Sequence, residues 1–129
     1  MFIKIDDFDL YLQKIDNNKV QELRAIEVIR LLDKRSLIEL TVPGSKIGLL
    51  QSMGHDQSQI IIEGQIMGEE SKRSYKNLKE KFDSDEPLKF ETDISFLKYV
   101  KHVLIIEIDL WQIFFNNYKY LMALLEIKK

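Results

Sequence analysis

The chain has no cysteine at all, which excludes a disulfide framework, thiolate metal ligands and a cysteine nucleophile together. Histidine is nearly as scarce, with only His55 and His102, and the two lie far apart in sequence. Without a ligand-spaced partner they make no zinc-type set. Excess charge of one sign is missing too. Nineteen Lys and Arg stand against 21 Asp and Glu, giving a net charge of −2, so no chain-wide basic field invites nucleic acid. Long apolar runs are also absent. The most apolar region, Val103 to Phe115, is broken by Glu107, Asp109 and Gln112, well short of the roughly 18 apolar residues a membrane span needs. The N-terminus turns acidic at Asp6-Asp7 before any signal-peptide core could form. The sequence therefore reads as cytoplasmic, or as released without such a signal. The absence of cysteine suits a reducing compartment.

What is present is an ordinary globular balance: 129 residues, 45% hydrophobic and 31% charged, the size of one domain spanning 1–129. Only two prolines and five glycines punctuate it. Phe8, Leu10 and Leu12 alternate with polar neighbours and predict a strand within Phe2–Leu12. Asp16-Asn17-Asn18-Lys19 predicts a turn. Leu23–Leu32 suits a helix or a strand, and the β-branched Ile26, Val28 and Ile29 favour the strand. Its expected face carries Ile26, Val28, Arg30 and Leu32. Asp33 to Ser36 reads as a hairpin turn into a strand from Leu37 to Val42.

Pro43-Gly44-Ser45-Lys46 is a sharp break, followed by a short, partly apolar stretch from Ile47 to Met53. Gln59–Met67 predicts a strand whose inner face holds Ile60, Ile62, Gly64 and Ile66. A mid-strand glycine marks a bulge or a close neighbour. Glu69–Phe82 predicts a helix, with Tyr75, Leu78 and Phe82 on its buried stripe. Glu69 and Glu70 fall in its expected first turn, and Lys79 and Lys81 in its last. Leu88–Glu91 predicts a short strand, and Val100–Leu110 a longer one carrying Leu104, Ile106, Ile108 and Leu110. Asn116-Asn117 then predicts a hairpin pairing Val103–Trp111 with Tyr118–Ile127, although Tyr120–Glu126 also has high helix propensity. Strands, one helix, then strands suggest an α+β, mainly β domain: a barrel or sandwich with one appended helix.

Chemistry is thin. Gly44-Ser45-Lys46 ends like a phosphate loop but lacks the upstream glycine. Asp83, Asp85 and Glu86 lack calcium-loop spacing. His55-Asp56 with Ser52 or Ser58 has no evident oxyanion donors. Lys72, Arg73, Lys76, Lys79 and Lys81 give the helix a basic side, opposed by Glu69, Glu70 and Glu80. His102 falls on the expected apolar face of its strand, as a packed and hydrogen-bonded residue. These patterns give no catalytic, metal or cofactor site. Two features suggest contact with other chains instead. Trp111, Phe114, Phe115, Tyr118 and Tyr120 crowd a hairpin with two apolar faces, and Ile47, Leu49 and Leu50 lie on a candidate projecting loop.

One ordered set of motifs adds a family resemblance. Pro43-Gly44 follows a strand, and a loop ends at Gly54. Next come Ile62-x-Gly64-x-x-x-Gly68, a helix over Ser71–Phe82, and Glu86-Pro87-Leu88 leading into a strand. This order resembles the N-terminal module of phage tail and baseplate proteins known as DNA-circularisation proteins, and related modules of contractile injection systems. It covers a little under half the chain, and Tyr118-Lys119-Tyr120 suits the family's closing strand. Ser45 replaces the usual arginine after Pro-Gly, and there is no long C-terminal extension. The resemblance implies a split β-barrel of the tail-tube type, with one helix (about 69–83) on its side and a C-terminal hairpin. It further implies a non-enzymatic ring or adaptor subunit, usually sixfold, contacting copies of itself and tube, spike or hub proteins. Such a subunit resides in the host cytoplasm during assembly and then in the virion tail or injection particle. Neither membrane nor specific nucleic acid enters that expectation. The alternative reading is a small intracellular nucleic-acid or protein-binding module.

Overall fold

A computed structural model describes residues 1–33, 35–40, 49–55 and 58–127, with only the backbone described for 35–40 and 49–55. The described chain is mainly β, with one antiparallel eight-stranded sheet, a separate two-stranded sheet and one α-helix. The strands are β1 (Ile3–Ile5), β2 (Phe8–Asp9), β3 (Leu12–Asp16), β4 (Lys19–Leu32), β5 (Arg35–Leu40), β6 (Leu49–His55), β7 (Gln59–Met67), β8 (Leu88–Thr92), β9 (His102–Phe114) and β10 (Asn117–Glu126). The helix α1 spans Ser71–Phe82. The large sheet runs β2-β1-β8-β9-β10-β7-β4-β3, and β5 pairs with β6 alone.

Local chemistry explains the breaks. The expected N-terminal strand is three short ones, because Asp6 takes a positive φ of 52° and turns the chain. Asp tolerates that region better than most residues. Asn17 and Asn18 both take positive φ, 50° and 61°, closing the β3–β4 hairpin where the turn was expected. At the last hairpin only Asn116 does so (54°); Asn117 already belongs to β10. Asp33 to Ser36 is not a hairpin turn, since β4 and β5 belong to different sheets. The β5–β6 hairpin is instead an insertion between the paired strands β4 and β7. Thr41, Val42 and the Pro43–Lys46 break lie outside the described residues.

Strand β7 alternates as expected: Ile60, Ile62, Gly64 and Ile66 are buried, while Glu63 and Gln65 are not. On β4 and β9 the expected faces change partway. A register shift between Ile26 and Val28 places Ile26, Ile29 and Leu31 against the core, with Val28, Arg30 and Leu32 on the other face. A second shift opposite Ala123/Leu124 inserts Ile106, so Val103, Ile105, Ile108 and Leu110 face inward and Leu104 and Ile106 outward. One extra residue reverses the parity of everything beyond it. His102 consequently lies on the outer face, half-buried, rather than in the core.

Two features set the shape of the sheet. Its end strands β2 and β3 are joined by only Leu10-Tyr11. A link that short spans about 10 Å, so the sheet curls until its ends approach. On the opposite side β8 pairs with β9 only at Leu88↔Val103 and Lys89↔His102. From Leu104 to Phe114, β9 therefore has a strand neighbour on one side only, among the described residues.

Helix α1 turns Ser71, Ser74 and Leu78 into the core. Tyr75 packs on Tyr118 with ring centroids 4.8 Å apart, and Phe82 joins the core cluster beside Ile108 and Leu110. Glu69 and Glu70 precede the helix rather than filling its first turn. Glu70 is the N-cap position, while Lys79 and Lys81 do occupy the last turn. Gly68 allows the strand-to-helix corner: its φ is +112°, and a Cβ there would lie 2.5 Å from the Gln21 carbonyl oxygen.

Candidate functional site

Glu22 and Arg24 sit two residues apart on β4, so both point inward. Arg24 Nε donates to Glu22 Oε2 at 2.5 Å and Nη2 to Glu22 Oε1 at 3.2 Å. Nη2 also reaches Ser74 Oγ of the helix at 3.1 Å, and Nη1 donates to the Asp9 carbonyl at 2.6 Å. The Ser74 hydroxyl in turn donates to Glu22. The guanidinium lies 4.0 Å from the centroid of the Phe8 ring. Every guanidinium nitrogen thus has an internal partner. The cluster ties β2, β4 and α1 together where the sheet's ends approach, and leaves no arm for a substrate. It is a structural pin.

Beside it lies Tyr120, 1% exposed. Among the described residues its hydroxyl has no hydrogen-bond partner. Burial raises its pKa far above the ordinary value; the positive charge of Arg24 opposes the shift and Glu27 adds to it. The ring lies over Gly64 of β7, where a Cβ would sit 2.4 Å from the hydroxyl and 2.7 Å from the Ala25 carbonyl. The mid-strand glycine is therefore the close-neighbour case.

The serine of the imagined nucleophile set, Ser58, is buried and linked to Asp33 and to the Tyr99 hydroxyl, the latter at 2.8 Å. Ser52 and His55 lie in β6, where only backbone is described, and Asp56 is outside the described residues. Asp83 caps α1, and the Ser84 hydroxyl closes a local turn with Glu86. Among the described residues no three His, Asp or Glu side chains gather for a metal, and no helix is long and apolar enough to cross a membrane.

The surface that stands out is the tip of the β9–β10 hairpin. Trp111 is 37% exposed, Ile113 49%, Phe114 74% and Phe115 78%. The turn is braced: Gly68 N donates to the Asn116 carbonyl at 3.0 Å, and Gln65 Nε2 to Asn117 Oδ1 at 2.6 Å. The rings are thus displayed from a fixed base. Tyr118 and Tyr120, counted with them from sequence, leave this surface. They face the core from the opposite side of β10, Tyr118 against Tyr75 and Tyr120 over Gly64. Leu49 and Leu50 fall in β6 without described side chains, and Ile47 lies outside the described residues. Sequence reasoning missed the Glu22–Arg24 pair. Its signal was two charges spaced to share a strand face with Ile26.

A scan against protein-family models finds no match for this chain, and a search of curated proteins finds none either.

Proposed function

We propose that the chain is a structural ring or adaptor subunit of a phage tail baseplate or a phage-tail-like contractile injection system. One observation carries the reading: beyond Leu110, where α1 packs against it, β9 has no second strand neighbour among the described residues and ends in the exposed Trp111, Phe114 and Phe115. An edge of this kind offers backbone groups to another chain, and the adjoining rings offer apolar area. Each phenylalanine removed from water contributes about 1.5–3 kcal/mol before ordering costs. The approach of β2 to β3 and the narrow β8–β9 pairing support a split-barrel reading of the sheet. In the same reading, β5–β6 is an arm that adds contacts to a neighbour. Copies join head to tail into a closed, sixfold ring around the tail channel and meet tube, spike or hub proteins. Assembly occurs in the host cytoplasm, and the product is part of the virion tail or injection particle.

Light scattering over a range of protein concentration, with electron microscopy of the assembled species, tests this. Rings that are lost in a Phe114→Ser/Phe115→Ser variant are expected. A wild-type monomer that also fails to join co-expressed tube and spike subunits contradicts it. A binding module for nucleic acid is the second reading. It is favoured by Lys72, Arg73 and Lys76 around a shallow groove of about 650 Å³ on α1. Salt-dependent binding lost in a Lys72→Glu/Lys76→Glu variant would support it.

A further inference from the structure

A second cationic feature lies apart from both the hairpin tip and the basic side of α1. Where β8 leaves β9, the chain folds back through a 3₁₀ turn at Ser95–Leu97, and a cavity of about 470 Å³ opens beside it. That volume is within the range of small-molecule sites, about 300–1,000 Å³. Lys89 enters from β8, Lys98 and Lys101 from the returning segment, and His102 from the first position of β9. Glu91 is the one carboxylate in the lining, and its Oε1 lies 3.3 Å from Lys89 Nζ. Three lysines against Glu91 in the lining and Asp93 at the rim leave a local excess of about +1 on a chain whose net charge is −2. Lysines lining one concavity favour an anion that joins them.

The rim is specific as well. Phe2 lines the same cavity and is 40% exposed. Its backbone is fixed: Phe2 N donates to Asp93 Oδ1 at 2.8 Å, and Phe2 O accepts from Thr92 Oγ1 at 2.7 Å and from Asp93 N at 3.2 Å. An exposed ring is thereby carried on a fixed backbone at the rim of the cavity. The floor is firm, because Phe90 and Val100 turn their side chains into the core.

We infer that this cleft is a binding site for a phosphate-bearing small molecule with a planar ring, of which a nucleotide is the simplest representative. Lysines recognise phosphate as point charges, and Phe2 provides the face on which a planar group stacks. The lysines come from both β8 and the returning segment, so an occupied site bridges two parts of the sheet joined by two ladder pairs and the Phe90 N to Lys101 O hydrogen bond. Occupancy therefore stabilises the fold by mass action.

The test is a titration of the intact protein with inorganic phosphate and, separately, with ATP at low salt, followed by amide chemical shifts. Saturable shifts centred on Phe2, Lys89, Lys98, Lys101 and His102 are expected for ATP, with weaker binding of phosphate alone. A Lys98→Glu/Lys101→Glu variant should lose at least about tenfold in affinity. Lys72→Glu/Lys76→Glu on the helix should lose none. Phe2→Ala should weaken ATP and leave phosphate unchanged. Should charge reversal disturb the fold by circular dichroism, Lys98→Gln/Lys101→Gln serves instead. No saturable shift at millimolar ATP overturns the inference, as does an equal loss in the helix variant. Neither result bears on ring assembly, which is read from particle size.

Discussion

The β9–β10 hairpin contains two regions of similar composition and opposite fate. At its base, Val103, Ile105, Met122 and Leu124 sit fully in the core, with Tyr120 among them. At its tip, Trp111, Ile113, Phe114 and Phe115 are just as apolar and face solvent. The base is covered because β1, β8 and α1 close over its inner face. Trp111 and Ile113 lie on the outer face of β9, opposite to Ile108 and Leu110, Phe114 and Phe115 lie at the turn, and β9 has no second strand neighbour there among the described residues. Apolarity alone therefore does not say where a residue goes; what lies opposite it does. The base supplies stability, and the tip leaves apolar area exposed.

The largest effect on the base should come from its pin. Arg24→Met leaves the Glu22 carboxylate buried and unpaired, at a cost of about 3–5 kcal/mol in denaturant unfolding. Adding Glu22→Leu should recover most of that loss, because a paired apolar replacement carries no stranded charge. Gly64→Ala comes next. Its Cβ meets the Ala25 carbonyl, which cannot rotate away, and about 1–3 kcal/mol should be lost. Tyr120→Phe removes a hydroxyl that has no partner among the described residues, so stability should hold or rise by about 1 kcal/mol.

The smallest effect belongs to Asp7. Hydrogen bonding to Lys81 at 2.6 Å, and then that residue's charge, hold its carboxyl below the ordinary 3.8, although burial opposes them slightly. The contribution is present above pH 3.8 and is lost as pH falls toward the lowered value. Because Asp7 is largely exposed, Asp7→Asn should cost only a few tenths of a kcal/mol near neutrality. The difference from wild type should vanish in thermal melts run below that window.

Much of this organisation was legible in the sequence. The alternation of β7, the helix stripe of Tyr75, Leu78 and Phe82, and the asparagine turns at Asn17-Asn18 and Asn116 all follow from local rules. The faces of β4 and β9 beyond their bulges were not legible. Glu27 and Ile106 carry no local mark of being the extra residue, since pairing across strands decides it. The same limit misplaced Tyr118 and Tyr120. Aromatic crowding was visible, but which rings pack inward depends on the register set by those pairings. The approach of β2 to β3 depends on which strands sit at the two ends of the sheet, and chain order does not give that. The cationic cleft was hidden because its lysines come from segments that only folding brings together.

The comparison of base and tip is tested most directly by sedimentation of the wild type and of Phe114→Ser/Phe115→Ser over a wide concentration range, with thermal unfolding of both. The account predicts that the wild type associates and that the variant remains monomeric. Their intrinsic stabilities, compared at concentrations where both are monomers, should agree within about 0.5 kcal/mol. Equal association of the two proteins would contradict it, as would a variant whose monomer is strongly destabilised.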